Sequence, residues 1–212
     1  MRNSIEYKLW GRYAFFTDPT TKNKKNKYSY LIPTYQALKG VTESIYWKPS
    51  ITWYVDKVRI VNQINLQPVG VKYYDIDNNK EVFTDDYYLR DVEYHIVAHF
   101  EFNENRQDLI EDWDENKHHN ITKRVLNKGG RRDIFLGTRE CQGYVEPFNF
   151  DEGSSFYGYV EDITFGKMVH GINYPSKNLD HSEIRIWKPT MKKGVFVFPR
   201  PEEINEKRII NL

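Results

Sequence analysis

The densest chemistry in the chain lies between Lys117 and Arg139, KHHNITKRVLNKGGRRDIFLGTR, where seven bases meet a single acid. The spacing predicts a helix, with Asn116 as N-cap, Ile121 and Val125 as an i, i+4 apolar stripe, and Gly129 as the C′ residue. Lys117 and His118 then occupy the first turn, where unpaired backbone N–H groups and the helix dipole favour an anion such as phosphate. The same field resists protonation of His118 and keeps a ring nitrogen available as a base. Lys123, Arg124, Lys128, Arg131 and Arg132 follow as candidates for neutralising further phosphates. Composition alone fits a solvated basic face equally well. The Gly129-Gly130-Arg131-Arg132 turn is the best binding candidate outside the first turn, because glycines let a backbone approach a phosphate closely.

Three other groups are weaker. Lys22, Lys24, Lys25 and Lys27 sit in a stretch without acids and offer individually weak phosphate contacts. Tyr46 and Trp47 end the first expected helix in SIYWKP, a position where aromatics are usually core plugs. His95 and His99, with Glu93 and Glu101, suggest a metal site, but four residues along a strand span about 13 Å, too far for one ion. A half-solvated sheet face explains them better. His170 and His181 have no evident partners.

Several function classes fall away early. No G-x-x-x-x-G-K-[ST], G-x-G-x-x-G or H-E-x-x-H occurs, so nucleotide-hydrolase, dinucleotide and zinc-protease readings lose their support. Cys141 is the sole cysteine, which leaves no disulfide framework and no cysteine-based cluster. Lys and Arg total 31 against 30 acids, so the charge has to be read locally. Aromatics at 16% argue for a real core in these 212 residues. The N-terminal MRNSIEYKLWGRYAFF lacks a signal-peptide pattern, and the chain has no run of about 18 apolar residues. A reducing, cytoplasmic location is expected.

The elements that must position these residues alternate. Ile5–Phe16 reads as a strand. Pro33 and Thr34 start a helix with Leu38, Val41 and Ile45 on one face, and Pro49 stops it. Ile51–Val61 reads as a strand with Tyr54, Val58 and Ile60 on one side and Trp53, Lys57 and Arg59 on the other. Residues 67–86 form a hairpin excursion. Val92–Phe102 alternates, with Val92, Tyr94, Ile96, Ala98, Phe100 and Phe102 sharing a face. After the basic helix, Phe135–Val145 reads as a strand and PFNFDEGSS (147–155) as a linker. Ile163–Tyr174, Ser182–Trp187 and Val195–Phe198 read as further strands. The order β-α-β-(hairpin)-β-α-β is the split βαβ pattern of ferredoxin-like and RNA-recognition folds.

Taken in order, YAFF at 13–16, IPTYQALKGVTESIYWKP at 32–49, the Lys-His helix, GGRRDIFLGTRECQGYV at 129–145 and MVHGINYP at 168–175 resemble one family. It is the Cas-five family of CRISPR-associated proteins of type I-C (Dvulg) systems, and the resemblance spans essentially the whole chain. It implies an α+β fold: a ferredoxin-like (βαββαβ) domain over 1–148 and a small antiparallel β domain over 149–212. It also implies an endoribonuclease that needs neither metal nor cofactor and cuts CRISPR precursor RNA at the 3′ base of the repeat hairpin. The protein would then stay on the 5′ handle of the guide, alongside the backbone and large subunits of the interference complex. The family's tyrosine, lysine and histidine fall on Tyr46, Lys117 and His118; His119 follows at once, and adjacency to the lysine selects His118. Metal-free cleavage uses the substrate's 2′-hydroxyl and needs a base, a cation and an acid, leaving a 2′,3′-cyclic phosphate. A tyrosine serves as base only if a cation such as Lys117 lowers its pKa. In other subtypes the relative is a non-catalytic cap on the 5′ handle, and that is the alternative here.

Overall fold

A computed structural model describes residues 3–18, 26–75, 78–175 and 179–210. Strand β1 (Ser4–Ala14) alternates as its sequence requires, burying Ile5, Tyr7 and Leu9 and turning Glu6, Lys8 and Trp10 away. Helix α1 (Tyr35–Ile45) starts where the Thr34 hydroxyl accepts the Ala37 N–H, and it buries Leu38, Val41 and Ile45. Each such aliphatic side chain contributes about 1.5–3 kcal/mol on burial. Strands β2 (Ile51–Ile60), β3 (Leu66–Asp75) and β4 (Lys80–Phe102) follow, then α2 (Glu115–Leu126), β5 (Ile134–Phe135) and β6 (Gln142–Pro147).

These strands, joined beside β2 by the later strand β11 (Val195–Val197), form one antiparallel sheet in the order β11-β2-β4-β1-β6-β5. Strand β4 is 23 residues long: its first part pairs with β3 as the expected hairpin, and its later part runs between β1 and β2. The chain order β1-α1-β2-β4-α2-β6 thus maps onto the spatial order β2-β4-β1-β6. Both helices cover the face that carries Tyr7 and Phe100. The Tyr7 hydroxyl meets Thr42 of α1 at 2.8 Å, and the Phe100 ring lies edge-on to His118 of α2.

Beyond β6 the chain makes β7 (Ile163–Thr164), β8 (Met168–Asn173), β9 (Ser182–Trp187), β10 (Thr190–Met191), β11 (Val195–Val197) and β12 (Lys207–Ile210). Strands β12, β9 and β8 build a separate three-stranded sheet, whereas β11 pairs with β2 and extends the main one. No helix among the described residues is long and apolar enough to cross a membrane.

The structure corrects several expectations. In β2 the ladder to β4 slips between Val55 and Lys57, so Trp53 and Val55 share the buried face with Val58 and Ile60. A bulge residue inverts the alternation, which is why even and odd positions could not be sorted from sequence. Residues 135–145 are two strands, not one, because Gly137 turns at φ +95. The expected strand Ile163–Tyr174 likewise divides into β7 and β8, and β12 was not anticipated. The 147–155 stretch is no loose linker. Phe150 is buried, its N–H donates to the Glu6 carboxylate at 2.7 Å, and Arg59 donates to its carbonyl. Nor is the His95 face half-solvated, since Phe148 stacks on the His95 ring at 4.0 Å and buries it.

Candidate active site

Tyr46 is held by its backbone before its side chain does anything. As the residue capping α1 it donates its N–H to the Thr42 carbonyl, and its own carbonyl accepts the indole N–H of Trp53 at 2.7 Å. Trp53 is fully buried, so this anchor is rigid. The phenol projects toward α2 and reaches the Nδ1 of His118 at 2.9 Å. His118 is itself fully buried, edge-on to Phe100 and Phe102. Its other nitrogen, Nε2, lies 2.7 Å from the backbone carbonyl of Asp112.

That carbonyl fixes the roles. A carbonyl only accepts, so Nε2 carries the hydrogen, and in the neutral ring Nδ1 is an acceptor for the Tyr46 hydroxyl. The pair is a directed chain from phenol through imidazole to the 112 carbonyl. Burial raises the Tyr46 pKa, and the guanidinium of Arg131, 4.8 Å over its ring, offsets this only in part. The phenol therefore stays protonated near neutral pH. The expected cation was Lys117; the one that faces the ring is Arg131.

Lys117, one residue before His118, is exposed and paired with the Asp112 carboxylate. Asp112 also accepts from the Ser50 hydroxyl at 2.6 Å. Hydrogen bonds from Lys117 first and Ser50 second pull its carboxyl down to about 2. The helix start is not open to an anion as anticipated. The N-cap is Asp114, not Asn116: its Oδ1 accepts the Lys117 N–H at 3.1 Å, and Glu115 follows in the first turn. The chain's own carboxylates occupy the positive end of the dipole, leaving the Lys117 and Arg131 side chains as the exposed cations of this cluster.

The other candidates distribute unevenly. Gly129 and Gly130 close α2 as foreseen: the Gly129 N–H donates to the Leu126 carbonyl and the Gly130 N–H to that of Val125. Lys128, Arg131 and Arg132 then line a groove of about 390 Å³ with Trp10 and Tyr144. Lys123 and His119 line a different cavity of about 530 Å³, so His119 turns away from Tyr46. Arg124 is exposed in the last turn of α2. Lys27 lies over the Tyr73 ring of the β3–β4 hairpin, while Lys22, Lys24 and Lys25 fall outside the described residues. His99 is paired with Asp56, His181 lies against Asp180 and Glu183, and His170 stacks on Tyr35 at 4.1 Å. Among the described residues no three His, Cys, Asp or Glu side chains converge as metal ligands.

Sequence reasoning missed Asp112 and Ser50. Both precede the elements they serve, and nothing in their local pattern announces a role. The Arg131 contact with Tyr46 follows from its N–H donating to the Ser44 and Ile45 carbonyls at the end of α1, a tie with no sequence signature.

Comparison with known proteins agrees with this architecture. A solved structure described as a CRISPR-associated protein superposes with a TM-score of 0.80 at 35% identity, covering 97% of this chain and 96% of that one. A protein from Thermus thermophilus named CRISPR pre-crRNA endoribonuclease Cas5d is 27% identical over 180 residues, 74% of this chain and 75% of its own length. One of the same name from Mannheimia succiniciproducens is 36% identical over 69 residues, a match spanning 32% of this chain and 30% of the relative. The Cas5d model of the CRISPR-associated Cas5 proteins matches residues 4–199, which take in both helices, the full main sheet and every residue of the Tyr46–His118–Lys117 cluster. The chain belongs to the Cas5d family of CRISPR-associated proteins.

Proposed function

We propose that this protein is a metal-independent endoribonuclease that cuts CRISPR precursor RNA within the repeat, at the 3′ base of its hairpin. It then stays on the 5′ handle of the mature guide, beside the backbone and large subunits of a type I-C interference complex. The core β1-α1-β2-β4-α2-β6 is read as ferredoxin-like, and the residues after 148 as a smaller β unit that lends β11 to the main sheet. The observation that carries the proposal is the 2.9 Å bond between the Tyr46 hydroxyl and His118 Nδ1 beside two exposed cations.

In the proposed reaction the substrate's 2′-hydroxyl attacks the adjacent phosphorus. Its proton passes to the Tyr46 oxygen as the Tyr46 proton passes to His118, so His118 is the base and Tyr46 the relay. The raised Tyr46 pKa favours a relay over a standing phenolate. Lys117 exchanges the Asp112 carboxylate for the scissile phosphate, stabilises the phosphorane charge and supplies a proton to the departing 5′-oxygen. The products carry a 2′,3′-cyclic phosphate and a 5′-hydroxyl. The phenol and imidazole are enclosed without RNA, so strand binding must open the cluster at the Lys117–Asp112 pair.

Single-turnover cleavage of the cognate repeat hairpin in EDTA tests this. Lys117→Ala and His118→Ala should abolish cleavage while hairpin affinity changes little. Wild-type protein that binds tightly yet does not cut would favour the alternative, a structural cap on the 5′ handle.

A further inference from the structure

Trp10 and Tyr144 face each other directly across the β1–β6 ladder, with ring centroids 5.8 Å apart. Residues opposite one another share a face, and the neighbours of Trp10, Leu9 and Gly11, point into the core. The pair therefore stands on the side of the sheet that the core does not use. Tyr144 is 52% exposed, and the Lys8 ammonium lies 4.8 Å from the Trp10 ring. Both aromatics line the groove of about 390 Å³ whose opposite wall is the turn after α2. That wall carries Lys128, Arg131 and Arg132 against the single acid Asp133, and none of the three cations forms an ion pair among the described residues. Arg131 joins the groove to the candidate active site, since its guanidinium also covers the Tyr46 ring.

We propose that this groove is a stacking subsite, in which an unpaired base flanking the cut packs on Tyr144 and Trp10 while Arg131 and Arg132 hold the adjoining phosphates. The inference rests on the RNA-cleavage reading and deepens it. A half-exposed Tyr144 against a partly buried Trp10, beside unpaired cations, matches the two surfaces of a single-stranded nucleotide, a π-face and an anion. A protein partner fits less well: the groove sets three cations against one acid beside the two rings.

The test uses a repeat hairpin with its unpaired flank, a 2′-deoxyribose at the cut and 2-aminopurine placed in turn at each flanking position. Binding should quench one of these reporters. Tyr144→Ala and Trp10→Ala should abolish the quench and weaken affinity by about five- to a hundredfold. Tyr144→Phe should retain both, and a blunt hairpin lacking the flank should bind all variants alike. Wild-type quenching and affinity in Tyr144→Ala would overturn the subsite, and the half-exposed position of this ring keeps the result decisive even if Trp10→Ala fails to fold. Wild-type protein that quenches the probe through Tyr144 yet leaves the all-ribose repeat uncut would keep the subsite and remove the nuclease.

Discussion

Replacing Tyr46 by phenylalanine deletes one oxygen from a fully enclosed site and leaves its ring, its Trp53 anchor and the Arg131 contact in place. The structure sets two magnitudes against each other. The His118 Nδ1 loses its donor inside the core, which costs about 1–3 kcal/mol of stability. If the hydroxyl relays the 2′-proton, the rate falls by about 10²–10⁴-fold, equivalent to about 3–5.5 kcal/mol of barrier. A domain of ordinary stability, about 5–15 kcal/mol, stays folded after the first loss, so unfolding cannot imitate the second. Single-turnover cleavage at saturating RNA, paired with urea unfolding, separates them. A cleavage rate within about threefold of wild type, together with a lowered urea midpoint, would show that the bond only braces the core and would refute the relay.

Asp112→Asn removes the anion that holds Lys117; it should tighten RNA binding a few-fold and steepen the salt dependence by about one counterion in a filter-binding titration. Burial first, and the Arg185 charge second, lower His170 to about 4. Between pH 6.5 and about 4 the unfolded chain binds a proton that the fold refuses, so stability should drop with acidification by about 3 kcal/mol. The difference between wild type and His170→Phe isolates this from His99, whose pKa is raised through Asp56 and whose stabilisation is present in acid and lost as pH rises. Gly137→Ala should destabilise by more than about 3 kcal/mol in urea titration, because φ is +95 and the new methyl would sit 2.1 Å from the Phe15 carbonyl oxygen.

Much of this was legible where a local rule and the tertiary outcome coincide. Thr34 caps α1, Leu38, Val41 and Ile45 enter the core, and Gly129 ends α2, because hydroxyl caps, apolar spacing and a positive φ are properties of the segment itself. The N-cap of α2 was misplaced by two residues because Asp114 and Asn116 are chemically equivalent candidates, and the choice depends on how the preceding 107–112 turn arrives. The face of Trp53 was lost to a bulge that no residue in ITWYVDKVRIV announces. At the site, Tyr46, Lys117 and His118 were named through family resemblance. The 46–118 contact links residues 72 apart, a proximity that pattern reading within segments cannot supply. Asp112 ends the 107–112 turn, where no local pattern marks it, and it acts through two groups: its backbone oxygen on the imidazole and its carboxylate on Lys117.

The turn after α2 does more than end a helix. Its two glycines reverse the chain so that the next peptide N–H groups dock on the last carbonyls of α1, those of Ser44 and Ile45, one and two residues before Tyr46. The strip of backbone carrying Tyr46 and the helix carrying His118 are thereby lashed together at one knot. Lengthening the β3–β4 hairpin would leave that knot intact, whereas one residue inserted between 126 and 131 would move the phenol and the imidazole apart without disturbing a single strand.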